Sequence, residues 1–176
     1  MKPYLPLFAL LLAACATGSY RNTDIEISSV EKLDLTRYEG RWYEIARFPN
    51  RFEKDCVAVT ADYARNQDGT IAVTNTCRKM SFDGPVEVAT GTARVVAPGQ
   101  LKVKFVDWLP FEGDYWVLYV SPQYELAVVG APEGTTGWVL ARDPQPDPGL
   151  LDRGYEALRK AGYDTNLIYR TPQPVD

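Results

Sequence analysis

Alternating apolar and polar residues recur in short runs from residue 40 onward, with turn-forming residues between the runs. Such alternation is typical of β-strands that bury one face. In the clearest case, apolar residues occupy every second position of residues 57–63, and an Asn-Gln-Asp-Gly turn at residues 66–69 leads into a second alternating run. The pattern predicts eight strands, at residues 42–47, 57–63, 71–75, 85–96, 101–106, 115–120, 126–129 and 137–141.

One segment near the C-terminus carries the signals of a helix. Asp147 and Pro148 suit an N-cap and a first turn, and Gly162 suits a stop. The apolar stripe between them consists of Leu151, Tyr155 and Leu158. Eight sequential antiparallel strands close most simply into an up-and-down barrel, and an amphipathic helix needs a surface to cover. We therefore expect an all-β fold, an eight-stranded up-and-down antiparallel β-barrel with one C-terminal α-helix packed on its outside.

Composition and charge argue against several classes of function. The chain has 19 Lys and Arg against 23 Asp and Glu, a formal net charge of −4, and no basic cluster, which argues against a nucleic-acid partner. It contains no His, the commonest general base and the commonest ligand of zinc or haem. We expect no catalytic activity, no cofactor and no metal. A barrel of eight strands either fills with its own side chains or holds one small ligand.

The first residues have the pattern of a secretory signal. Lys2 provides a positive start, and residues 5–12 are nearly all apolar. This run is too short for a membrane-spanning helix, which needs about 20 apolar residues. We expect a signal peptide at residues 1–14.

The end of this segment, Leu-Ala-Ala-Cys at residues 12–15, resembles the lipobox of bacterial lipoproteins. In that family the signal is removed before the cysteine, whose thiol and amine become acylated. The resemblance implies a lipidated Cys15, a tether over residues 15–32, and a membrane partner. Because Ala16 rather than Asp follows the cysteine, it also implies sorting to the outer membrane, facing the periplasm. An ordinary cleaved signal with an incidental cysteine is the alternative.

A second resemblance concerns the domain itself. Residues 38–47, Tyr-Glu-Gly-Arg-Trp-Tyr-Glu-Ile-Ala-Arg, resemble the Gly-x-Trp opening motif of the lipocalins. The extension through Glu53 resembles the subgroup that contains bacterial outer-membrane lipocalins, apolipoprotein D and plant temperature-induced lipocalins. Residues 140–144, Leu-Ala-Arg-Asp-Pro, supply the family's arginine, whereas the turn at residues 121–124 has Ser-Pro-Gln-Tyr in place of the usual Thr-Asp-Tyr. The resemblance covers residues 33–172 and implies a lipocalin domain over 33–176.

The resemblance also implies a structural base of the barrel, formed by Gly40, Trp42 and Arg142. The Arg142 guanidinium would stack on the Trp42 indole, a cation–π contact of about 0.5–2 kcal/mol. In the family this pair plugs the closed end. We therefore expect these residues to stabilise the fold rather than to touch ligand.

Strand alternation, anchored at this pair, predicts which side chains face the interior. The expected ligand-binding residues are Tyr63, Asn75, Trp138, Leu140, Val59, Ala61, Val73, Trp116, Leu118, Ala127 and Val129. Their mixture of apolar and aromatic side chains with a few polar groups suits a fatty acid or a lysophospholipid. For any one of them, plain core packing is the alternative.

The same alternation turns Glu44 and Ala46 inward with Trp42. A carboxylate inside an apolar cup is costly unless it is paired or protonated. We expect Glu44 either to pair with an arginine at the base or to contact ligand.

Two cysteines, Cys56 and Cys77, remain after Cys15. In an exported chain such a pair indicates a disulfide. Both lie at similar distances from Gln67, but the apolar alternation pairs residue 57 with residue 77, so the bridge needs a β-bulge. The alternative is a free Cys77 nucleophile, as in the lipocalin prostaglandin D synthase, although the chain has no His to activate it.

Together these observations favour a binding protein for lipid storage, transport or scavenging. A filled barrel with a structural or interaction role and a thiol-dependent lipocalin enzyme are the alternatives. Residues 107–111, Asp-Trp-Leu-Pro-Phe, predict an apolar loop at one rim, which would contact a membrane, form a homodimer, or cover the barrel.

Overall fold

The computed structural model describes residues 18–105 and 111–175. The expected signal peptide, Cys15, and residues 107–110 of the apolar loop lie outside the described residues. The predicted base, lining and disulfide residues all lie within the described ranges.

Eight antiparallel strands form the predicted closed barrel. They are Gly40–Arg47 (β1), Cys56–Arg65 (β2), Ile71–Lys79 (β3), Val86–Ala97 (β4), Gln100–Lys104 (β5), Gly113–Val120 (β6), Leu126–Gly130 (β7) and Gly137–Ala141 (β8). Each strand pairs with the next along the chain, and β1 pairs with both β8 and β2. This last pairing closes the sheet on itself and confirms the up-and-down topology.

Within residues 18–105 and 111–175, two α-helices flank the barrel. The four-residue helix α1, Leu35–Tyr38, precedes β1, and helix α2, Pro148–Lys160, follows β8. The Asp147 carboxylate accepts a hydrogen bond from the Leu150 amide, which confirms the predicted N-cap. Among residues 18–105 and 111–175, no helix has the length and apolar character needed to cross a membrane. A 3₁₀ turn, Thr165–Leu167, leads to a short strand β9, Tyr169–Arg170, which pairs with β1.

Buried side chains form two main layers, one inside the barrel and one beneath α2. The inner layer contains Trp42, Tyr63, Val73, Val129 and Leu140, among others. In the outer layer, α2 covers the outward face of β7 and β8. A Cβ at Gly154 would lie 3.1 Å from Leu126 Cδ2, so this glycine allows the helix to approach the barrel closely.

The two ends of the barrel differ. The turns after β2, β4 and β6 lie at one end with α1, which we call the closed end. The loops after β1, β3, β5 and β7 lie at the other, which we call the open end.

The segment before α1 runs along the outside from the open end to the closed end. It starts beside the β7–β8 loop, where the Tyr20 amide donates to Gly134 O at 2.7 Å. It ends where the Val30 amide donates to Val117 O at 2.8 Å, near the β4–β5 turn. The buried Arg21 side chain donates to the carbonyl of Ala161, which holds the segment against the end of α2. The described part of the expected tether, residues 18–32, is therefore bound to the barrel rather than free.

Candidate functional site

The closed end is filled by the predicted base residues. Trp42 is fully buried, and the Arg142 guanidinium carbon lies 3.9 Å from the centre of its ring. The two terminal guanidinium nitrogens donate to the carbonyl oxygens of Arg37, Glu39 and Arg41. Gly40 has a φ of +88°, and a Cβ there would lie 3.4 Å from Arg142 Nη1, so glycine suits both its conformation and its contacts. Both side chains are therefore engaged in contacts within the fold.

Three tyrosines meet above this base. The Tyr115 hydroxyl lies 2.8 Å from the hydroxyls of both Tyr38 and Tyr63. Burial raises the pKa of all three phenols, so they remain neutral. Three hydroxyl protons and two hydrogen bonds between them leave one O–H available to donate. The floor of the interior therefore offers a hydrogen-bond donor.

Most of the predicted lining residues lie on the inner face. Those in the inner buried layer are Tyr63, Ala61, Val73, Ala127, Val129 and Leu140, and Trp138 packs against them. Asn75 faces the same way because it pairs directly with Ala61. Val59 is buried in a separate small cluster with Cys56 and Cys77.

The expected inward orientation of Trp116 and Leu118 is wrong. Leu101 faces inward and pairs with Tyr115, so Trp116 points outward. A bulge between Val117 and Tyr119 then inserts Leu118 as an extra residue, and Leu118 packs in the outer layer. Sequence reasoning consequently missed Tyr115, which takes the inward position.

Solvent reaches the inner face of β4 at the open end of the barrel. On β4 the inward-facing positions carry the small residues Ala89, Gly91 and Ala93, which pair with Asn75, Val73 and Ile71. Ala93, the deepest of them, is buried, but Ala89 is exposed although it faces the interior. Phe105 lies against Gly91 and is 46% exposed. The barrel is therefore closed at its base, and Ala89 and Phe105 are exposed at its open end.

A buried ion pair supports one wall of the cup. Arg47 Nη1 lies 2.6 Å from Glu44 Oε1, and both side chains are almost fully buried. A bulge between Glu44 and Ala46 places these side chains on one face of β1, three residues apart. The same bulge turns Ala46 into the outer layer, so its expected inward orientation is wrong. Glu44 thus pairs with an arginine of its own strand and not with one at the base.

The C-terminal segment completes this arrangement. Beyond Tyr43, β1 and β2 separate, and residues 171–173 bridge them. Thr171 donates to the Glu44 carboxylate, and the Gln173 side-chain amide donates to the carbonyls of Glu44 and Val59, each at 2.9 Å. Glu44 is therefore held on several sides by the fold.

Burial raises the pKa of Glu44 well above its usual range, and the neighbouring Glu53 raises it further, whereas Arg47 and Thr171 oppose the shift. Glu53 lies in the β1–β2 loop, where its carboxylate accepts a hydrogen bond of 3.0 Å from the Trp138 indole. The Glu53 carboxylate thus connects the β1–β2 loop at the open end to the inward-facing side chain of Trp138.

Cys56 and Cys77 form a disulfide with a Cα–Cα distance of 5.5 Å. The bulge that the bridge needs is present between Val57 and Thr60, and Val57 pairs with Arg78 instead of Cys77. Ala58, inside the bulge, has a φ of +49°. Because its sulfur is bonded, Cys77 is not a free nucleophile.

Comparisons with known proteins agree with this geometry. The family model of the Lipocalin-like domain matches residues 33–173. Temperature-induced lipocalin-1 of Arabidopsis thaliana is 39% identical over 158 residues, covering 84% of this chain and 83% of that protein. The outer membrane lipoprotein Blc of Vibrio cholerae is 36% identical over 169 residues, covering 93% and 96%.

The fold also resembles solved structures. Insecticyanin from the tobacco hornworm Manduca sexta superposes with a TM-score of 0.68 over 85% of each chain, at 17% identity. Members of the matched family generally bind small hydrophobic molecules and are generally not enzymes. On the family model and these relatives, this chain belongs to the lipocalin family.

Proposed function

We propose that this lipocalin binds one acyl-chain amphiphile, a fatty acid or a lysophospholipid, in the open half of its barrel, and that it has no catalytic role. The observation that carries the proposal is the inner face of β4. Ala89 lies on the inner face of β4 beyond the point where its pairing with β5 ends, so it is exposed at the mouth of the barrel, and its small side chain leaves room there. An accessible apolar recess with few polar groups is the usual form of a small-molecule site.

The distribution of polarity favours an amphiphile. The deeper wall is apolar, with Val73, Val103 and Val129 in the buried layer. Nearer the open end, Lys79 and Glu87 form an ion pair of 3.5 Å beside the disulfide, since Glu87 pairs with Cys77 across the strands. An acyl chain would lie against the apolar wall and leave its head group among the charges. The predicted residues that we assign to ligand contact are Tyr63, Asn75, Trp138, Leu140, Val59, Ala61, Val73, Ala127 and Val129.

The proposed setting is the outer membrane, facing the periplasm. It is supported by the lipobox resemblance at Cys15 and by similarity to outer membrane lipoproteins of Vibrio cholerae and Escherichia coli. There the protein would store, carry or scavenge lipid. Labelled palmitate should enter the wild-type chain and not Cys15→Ser, and equal labelling of the two chains would contradict the anchor.

The binding proposal is tested by titrating solvent-extracted protein with a fluorescent fatty acid while following tryptophan fluorescence. We expect saturable one-to-one binding in the micromolar range or tighter. Ala89→Trp should weaken it by about tenfold or more, a cost of about 1.4 kcal/mol or more, because the indole occupies the cup. Val88→Trp, on the outward face of the same strand, is the control and should leave affinity unchanged. Absence of binding in the wild type, or equal affinity in both variants, would indicate a filled barrel that acts through its surface.

A further inference from the structure

Four large apolar side chains surround the open end. Phe52, Met80, Phe82 and Phe111 are 71%, 76%, 43% and 76% exposed, and we call them the apolar rim. They come from three separate loops, those after β1, β3 and β5. Exposed apolar side chains gathered at one end of a molecule mark a contact surface. The β2–β3 turn at the closed end is polar, since residues 66–69 are Asn-Gln-Asp-Gly.

The chain enters the domain beside this rim. The Tyr20 hydroxyl donates to Pro49 O at 2.6 Å, in the same loop as Phe52, and the Arg21 guanidinium donates to Pro132 O at 2.7 Å in the β7–β8 loop. Gly18, the first described residue, is three positions from Cys15. Three extended residues span about 10 Å at most. A lipid on Cys15 therefore holds the open end, and not the closed end, next to the bilayer.

We propose that the apolar rim inserts into the interfacial layer of the membrane that carries the acyl anchor, so that the cup opens onto the bilayer. The proposal rests on the acylation of Cys15 proposed above. Together the anchor and the rim give two attachments on one side of the molecule, which orients it as a single acylated residue would not. An acyl chain would then pass between bilayer and cup without crossing water.

The charges around the rim bear on the nature of the contact. The β1–β2 loop exposes Arg51 and Lys54 as well as Asp55, and the β3–β4 loop exposes Asp83. Because both signs are present, apolar contact rather than attraction to anionic lipid dominates. Insertion of the rim should therefore change little between low and high salt.

The test places one reporter at each end of the acylated full-length protein. Phe82→Cys lies on the rim and Gln67→Cys at the closed end, and each adds the only free thiol, since Cys56 and Cys77 are bonded and Cys15 carries lipid. Each is labelled with an environment-sensitive fluorophore and reconstituted on vesicles of phosphatidylethanolamine and phosphatidylglycerol, with or without doxyl-labelled lipid.

We expect blue-shifted emission and several-fold stronger quenching for the label at position 82, at low and high salt alike. Equal quenching at the two positions, or stronger quenching at position 67, overturns the proposal. Replacing Phe52, Met80 and Phe111 together by Ser should reduce the quenching at position 82, whereas the control Val88→Ser/Val96→Ser, on exposed parts of β4, should not.

Three further outcomes distinguish membrane insertion of the rim from a missing anchor, a dimer contact and a failed ligand. Protein that lacks the acyl mass and stays in the supernatant refutes the anchor and this proposal with it. If the rim instead mediates pairing of two copies, the Cys15→Ser protein should be a dimer in solution, and the triple Ser variant should be a monomer. The label at position 82 should then be shielded from doxyl lipid. These results would overturn the proposal. If the fatty-acid titration shows no binding while the quenching is as expected, the proposed ligand is refuted and the proposal of rim insertion stands.

Discussion

The two ends of the barrel place aromatic residues and arginine in opposite environments. At the closed end an aromatic ring and an arginine are brought together, with Trp42 fully buried and Arg142 bonded to three carbonyls. At the open end phenylalanines project into solvent, and one arginine, Arg47, is buried with a carboxylate. The closed end is thus filled and hydrogen-bonded within the fold, whereas the open end presents apolar side chains to solvent.

The first way to test this contrast is to remove the aromatic ring at the closed end. Trp42→Ala deletes a fully buried indole, its stacking with Arg142, and its hydrogen bond to Tyr38 O. We expect a loss of about 3–5 kcal/mol in the free energy of unfolding, measured with urea. Trp116→Ala, on the outer face, is the control and should cost less than half as much. Similar losses for the two variants would show that the closed end is not specially stabilising.

The second change removes the cationic partner of a buried carboxyl group at the open end. Arg47→Leu removes the partner of Glu44 and the hydrogen bonds to the carbonyls of Glu53 and Cys56. We expect a loss of about 3 kcal/mol, because a buried carboxyl is left without its cation. The double variant Glu44→Leu/Arg47→Leu should be more stable than Arg47→Leu alone. A double variant less stable than either single variant would mean that the pair is more favourable than an apolar replacement.

The smallest expected effect is a pH dependence. Burial and Glu53 raise the native pKa of Glu44 above the ordinary value of 4.5, so the native state binds this proton more tightly than the unfolded state. The stability contribution of Glu44 is complete below pH 4.5 and is lost as the pH rises toward the native pKa. Relative to Glu44→Gln, wild-type stability should therefore fall with rising pH, by at most about 1.4 kcal/mol per pH unit. Urea unfolding of both proteins from pH 4.5 to 7 measures this difference, and a difference that grows in favour of wild type would contradict it.

Much of the fold is readable from the sequence because its signals are local. Alternation over residues 57–63, the turn at residues 66–69, and the Asp147–Pro148 cap each depend on a few neighbouring residues, and each corresponds to an element of the structure. The resemblance to the family, through the Gly-x-Trp motif and the motif at residues 140–144, placed Trp42 and Arg142 at one end. Local signals of this kind suffice for the eight barrel strands, their order and α2.

Side-chain direction was harder to predict, because bulges depend on the partner strand. Residues 115–120 read Tyr-Trp-Val-Leu-Tyr-Val, without alternation, because α2 and the interior bury both faces of this region. Nothing within β6 shows that Leu118 is the extra residue opposite β7. Likewise, the bulge after Glu44 decides that its partner is Arg47, and Gln173 reaches it from a distant part of the chain.

The central claim, an accessible cup above a filled base, is tested most directly by following the tryptophan indole N–H signals by NMR during a fatty-acid titration. The indole of Trp138 bonds to Glu53 near the open end, that of Trp42 bonds to Tyr38 O at the base, and that of Trp116 bonds to Asp114 outside the barrel. We expect the Trp138 signal to shift and saturate at one equivalent, with little change at Trp42 and none at Trp116. A shift at Trp116 with none at Trp138 would place the lipid on the outer surface and contradict the account.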